Sequence, residues 1–105
     1  MNSFKHISAH DAQALMNTQE TTIVDIRDAA SYASGHIENA QLIDNENVQD
    51  FIREADLDQP LVVCCYHGNS SQGAAQFFTE QGFEEVYSLD GGIEHWRQSF
   101  SVSTL

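Results

Sequence analysis

Basic side chains are scarce in this chain: four Lys and Arg stand against sixteen Asp and Glu, a formal net charge of -12. Such a surface repels phosphates and anionic headgroups, which excludes the functions that depend on a basic face turned to nucleic acid or to a membrane. Long apolar runs are missing too. None approaches the roughly 20 residues that a membrane-crossing helix needs, and the opening MNSFKHISAHDAQAL lacks the basic-then-apolar pattern of a secretory leader. The expectation is a cytoplasmic protein with no membrane and no nucleic-acid partner. Cysteine is confined to two neighbours, Cys64 and Cys65. A bridge between adjacent residues closes a strained ring, so both are expected as free thiols. The five histidines, His6, His10, His36, His67 and His95, show no short repeated spacing, and adjacent cysteines cannot easily chelate one tetrahedral ion together. No metal and no cofactor is expected.

What is present fits one domain over residues 1–105, with 41% hydrophobic residues to fill a single core. Apolar clusters rich in Val and Ile recur at TTIVDI (21–26), AQLID (40–44), PLVVCC (60–65) and EVYSL (85–89), and these predict strands. Helical spacing links Ala12, Leu15 and Met16, then Val48, Phe51, Ile52 and Ala55, then Ala74, Phe77 and Phe78, and finally Ile93 and Trp96. Ser8 stands where an N-cap precedes the first helix, and Gly35 and Gly82 where helices stop. Asp90-Gly91-Gly92 reads as a turn before the last helix, and Pro60, the only proline, opens a strand. Alternating strands and helices predict an α/β domain with a mostly parallel central sheet, helices on both faces, and ligands beyond the carboxyl ends of the strands.

PLVVCC has the nearly continuous apolar character of a central parallel strand, and the chain turns polar right after Cys65. Cys65 is therefore expected at the strand's carboxyl end, facing the unpaired N–H groups of a helix that begins near Ser71. Gly68 and Asn69 supply residues that tolerate unusual backbone dihedrals, so the loop can curl its amides around one point. A sulfur held there is stabilised as an anion, and Cys65 is predicted to be a nucleophilic thiolate. Cys64 points the other way along the strand and reads as a small buried hydrophobe.

The stretches CYHGNSSQGAA (65–75), IVDIRDAASYASGHIENA (23–40) and YSLDGGIEHW (87–96) together resemble the single-domain rhodanese family, in its GlpE-type thiosulfate sulfurtransferase branch. The likeness runs in order over almost the whole chain. It implies a rhodanese-like fold and a double displacement. Cys65 takes the outer sulfur of thiosulfate, sulfite is released, and the persulfide sulfur passes to cyanide or a thiol acceptor, including the thiol of a thioredoxin-like protein. It also implies that Tyr66, His67, Gly68, Asn69 and Ser70, with Ser71 at the helix start, turn their amides toward the substrate sulfur, an amide nest of the kind the loop composition suggests. Many members of the family carry arginine at the place of Ser70, and a serine there leaves anion binding to backbone amides and the helix end.

Other chemistries fit less well. Phosphatase and arsenate reductase loops need Cys, five residues and then Arg to grip an oxyanion bidentately, and here that position is Ser71. Gly68 and Gly73 have phosphate-loop spacing without the following lysine. Asp25, Arg27 and Asp28 read as an ion pair plus an N-cap for a helix starting near Ala29. Gly35-His36-Ile37 matches a turn of the family, with Ile37 in the core. His67 reads as solvent-facing, and Trp96 as core. Two alternatives to the enzyme remain: a persulfide relay to a protein acceptor, and a catalytically silent binding or sensing module.

Overall fold

The structure is a computed structural model that describes residues 3–105. Strand β1 (Lys5–Ile7) leads into helix α1 (Ala9–Thr18), followed by β2 (Thr22–Asp25), α2 (Ala29–Ser34), β3 (Gln41–Leu42), α3 (Val48–Glu54), β4 (Leu61–Cys64), α4 (Ser70–Glu80), β5 (Val86–Leu89) and α5 (Gly92–Ser99). The five strands form one sheet in the order β1-β5-β4-β2-β3, and every neighbouring pair is parallel. The three longer strands lie where the Val- and Ile-rich clusters stand, Pro60 directly precedes β4, and β3 shrinks to two residues.

The caps follow the expected chemistry. The Ser8 hydroxyl accepts from the Asp11 amide at 3.1 Å, and Asp28 accepts from the Ser31 amide at 2.8 Å, so each satisfies an otherwise orphaned donor at a helix start. Gly35 closes α2, and Gly82, with φ of +108°, follows α4 in the left-handed region open to glycine.

Side chains that alternate along the strands divide the core in two. Ile23, Val62 and Cys64 pack with Ala9, Ala12, Ile93 and Trp96, so α1 and α5 cover one face. Val24, Leu61 and Val63 pack with Ala75 and Phe78 and against Phe51 and Ile52, so α3 and α4 cover the other. All four residues of β4 are buried, as a central parallel strand requires. The register Thr22↔Leu61 to Asp25↔Cys64 brings β2 and β4 to an end at the same level, and that shared rim carries the loop after Cys64.

Candidate active site at the Cys65 loop

Cys65 is the first residue beyond β4 and only 4% exposed. Its Sγ accepts hydrogen bonds from the Gly68 amide at 3.2 Å and the Ser71 amide at 3.3 Å. The loop reaches that shape through the opposite edges of its peptide planes. The carbonyl of Cys65 accepts from the Ile93 amide at 2.8 Å and that of Tyr66 from the Glu94 amide at 3.1 Å. The start of α5 thus holds these carbonyls on one side and leaves the loop's N–H groups to turn toward the sulfur. Gly92 makes the approach possible: a Cβ there, at φ of +61°, would lie 2.5 Å from the Cys65 and Tyr66 carbonyl oxygens. Gly68, at φ of +91°, is equally confined, since a Cβ would stand 2.9 Å from the Gly91 nitrogen.

The two thiols diverge electrostatically. Burial opposes ionisation of Cys65, but hydrogen bonding from the Ser71 hydroxyl and from the Ser71, Gly68 and His67 amides outweighs it and holds the thiol below its ordinary value. Burial of Cys64, with the Asp25 carboxylate adding to it, pushes that thiol well up.

The other loop residues take distinct places. Tyr66 is exposed and latched to α2: its hydroxyl donates to the Asp28 carboxylate and shares a hydrogen bond with the Ser31 hydroxyl at 2.8 Å. Hydrogen bonding from Tyr66, then from the Ser31 amide and hydroxyl, lowers the Asp28 pKa to about 2. Beneath the Tyr66 ring lies the Arg27 guanidinium, 5.6 Å from the ring centre. His67, Asn69 and Ser70 are exposed. Asn69 has ordinary right-handed dihedrals, φ -92° and ψ -59°, so the conformational tolerance expected of Gly68 and Asn69 is used at Gly68 alone. Ser71 is fully buried, and its hydroxyl meets that of Ser88 at 2.8 Å.

The Asp25–Arg27 ion pair read from the sequence is present, but as a sealed contact. Arg27 donates from Nη2 to Asp25 at 2.7 Å and to the Gly35 carbonyl at 2.6 Å, with 2% and 0% of the two charged side chains exposed. This is a staple from β2 to the end of α2, where removal of one partner strands a buried charge. Of the other two guanidinium groups, Arg53 pairs with Asp50 on α3 and Arg97 lies 4.0 Å from Glu94 on α5. Among the described residues, no three His, Cys, Asp or Glu side chains converge where a metal ion could sit. Sequence reasoning overlooked Ser88, the α5 amides and the Tyr66–Asp28 latch. The Asp90-Gly91-Gly92 turn was the one available signal, since two consecutive glycines before a helix mark a close backbone approach.

The chain matches the family model described as Rhodanese-like domain over residues 8–99. It is 57% identical to the protein named thiosulfate sulfurtransferase GlpE of Pseudomonas fluorescens strain SBW25, over 95% of this chain and 91% of that one. It is 52% identical to the protein of the same name from Shewanella oneidensis, over 94% and 98%. Among solved structures, a rhodanese-related protein from Thermoplasma volcanium superposes with a TM-score of 0.82 at 25% identity, covering 97% of this chain and all of that one. On matches of this extent, the chain belongs to the rhodanese-like domain family.

Proposed function

We propose that this protein is a thiosulfate sulfurtransferase in which Cys65 carries the sulfur. The observation that supports this most directly is the Cys65 sulfur, placed at the strand end with two backbone amides donating to it and its pKa lowered. The names of its relatives point to the same substrate. The Cys65 thiolate attacks the outer sulfur of thiosulfate, forming a new S–S bond, while the bond to the sulfonate group breaks and its electron pair leaves with sulfite. Three negative charges enter the step and three leave it. The persulfide anion sits in the loop, beside the Gly68 and Ser71 amides that already donate to the Cys65 sulfur. An acceptor then takes the outer sulfur. Cyanide leaves as thiocyanate and a thiolate as its persulfide, and the electron pair of the broken S–S bond returns to Cys65. Small thiols and the cysteine of a thioredoxin-like protein are both acceptors of the right chemistry. With each guanidinium beside a carboxylate, hydrogen bonds must hold the anionic donor.

Mass measurement of the intact protein tests the reading. Mixed with thiosulfate and no acceptor, the wild type is expected to gain one sulfur atom and release close to one sulfite per chain. Cys65→Ser should do neither, while Cys64→Ser keeps the transfer and loses about 1 to 3 kcal/mol of stability from a hydroxyl in an apolar core. Transfer surviving in Cys65→Ser, or no mass gain in the wild type, would overturn the proposal. The second of these would favour a silent module.

A further inference from the structure

We infer that Ser88, on β5 and outside the loop, is a positioning residue that frees the Ser71 hydroxyl to donate its proton to the Cys65 sulfur. The inference rests on the reading of Cys65 as a working thiolate. Ser71 and Ser88 are both fully buried, and their hydroxyl oxygens stand 2.8 Å apart. Ser71 lies in the first turn of α4 beside the sulfur, with its own amide 3.3 Å from Sγ. Ser88 belongs to the strand next to β4, in register with Val63.

Proton accounting sets the direction of the shared bond. Each hydroxyl has one proton to give, and the Ser88 hydroxyl has no hydrogen-bond partner other than the Ser71 hydroxyl among the described residues. If Ser71 donated to Ser88, the Ser88 proton would be stranded in the core, which folding penalises. If Ser88 donates to Ser71, its only donor is satisfied and the Ser71 proton needs another acceptor. A helical serine often uses the carbonyl four residues back, as Thr79 does with Ala75 at 3.0 Å, but Ser71 makes no such bond. The Cys65 sulfur, 3.3 Å from the amide of the same residue, is the acceptor next at hand for the Ser71 hydroxyl, and a thiolate would draw the stronger, charge-assisted bond. Hydrogen bonding from the Ser71 hydroxyl is also the largest influence lowering the Cys65 pKa against its burial.

The test is the pH dependence of alkylation by iodoacetamide, a neutral probe, with the modified cysteine identified by peptide mass and the melting temperature recorded for every variant. Ser88→Ala is expected to raise the apparent pKa of Cys65 by about half a unit to one unit, so that alkylation well below that pKa slows roughly three- to tenfold. Ser71→Ala should raise it at least as much, and the double variant no further than Ser71→Ala alone, because one residue acts through the other. Ser88→Cys, a weak donor of similar size, should fall between wild type and Ser88→Ala, and it decides the matter if Ser88→Ala does not fold. An unmoved profile in these variants, or shifts that add in the double variant, would overturn the inference, as would a loss of melting temperature with no change in the profile. A wild-type Cys65 that titrates like a free thiol would instead remove the thiolate reading, and this inference with it.

Discussion

Cys64 and Cys65 share a peptide bond and little else. Alternation along the strand sends the first into the core under α1 and α5, and the end of the strand leaves the second under the loop amides. Their ionisation follows: the Cys64 thiol is held up by burial, and the Cys65 thiol comes down despite it, through hydrogen bonds. The sign of the pH dependence is then fixed. A thiol whose folded pKa is lowered is fully ionised above that value and loses its charge as pH falls through it. Sulfite released in a single turnover with thiosulfate should be flat at alkaline pH and decline on acidification with a midpoint below 9.0, the ordinary value for this group. The Asp28 pKa, lowered to about 2, lies far below this limb, so the Tyr66 latch keeps its carboxylate acceptor across it. A midpoint at or above the free-thiol value would contradict the assignment. The place of Cys65 at the strand end under the loop was legible in the sequence because an apolar run stopping at a polar, glycine-bearing loop is a local signal. Ser88 and the Asp28–Tyr66 contact were not, because they join positions 17 and 38 residues apart that only the folded sheet brings together.

Among the elements, α5 has a role that its amphipathic pattern does not announce. Ile93 and Trp96 predict its buried face, and they are buried, but its first amides hold the loop carbonyls. Two glycine substitutions separate these functions. Gly92→Ala places a methyl group 2.5 Å from the Cys65 and Tyr66 carbonyl oxygens at a φ that penalises any side chain, so the loop must shift. Sulfur transfer is expected to fall by about tenfold to a hundredfold. Gly73→Ala, within α4, meets nothing within 4 Å. It should stabilise the fold by about 0.5–1 kcal/mol, raise the melting temperature by roughly 2–8 °C, and leave transfer unchanged. Single-turnover rates and thermal unfolding of the two variants check both, and a fully active Gly92→Ala would remove α5 from the account of the loop. The element missed in the sequence was β1. Only Ile7 of its three residues is buried, so an edge strand of sequence KHI carries neither an apolar run nor a full alternation. Its pairing with β5 places it at one edge of the sheet.

The whole molecule poses an electrostatic problem, since a protein of formal charge -12 is asked to bind a dianion. With extents of 34 × 29 × 23 Å, its charges lie on average about 15–20 Å from the loop, where each repels a unit charge by roughly 0.2–0.3 kcal/mol in water. Summed over the excess and doubled for a dianion, the repulsion is about 5–7 kcal/mol without salt. A Debye length of about 8 Å at physiological ionic strength reduces it to below about 1 kcal/mol. Amide donors to an anion contribute on the order of 1.5–3 kcal/mol each, so a few of them outweigh what is left. The cations offer no alternative: Arg27 is spent on Asp25 and Gly35, Arg53 on Asp50, Arg97 lies 4.0 Å from Glu94 on α5, and Lys5 lies on the edge strand β1. The second-order rate of Cys65 with thiosulfate should therefore rise severalfold as salt goes from very low to physiological concentration, with a bulky anion chosen so that it does not compete inside the loop. Transfer from the persulfide to a small thiol, which reacts as its singly charged thiolate, should rise less, because the long-range field acts on one charge there and on two in thiosulfate. A thiosulfate rate that fell steeply with added salt would instead require a basic patch close to the sulfur, and anion binding by the loop amides would have to be abandoned.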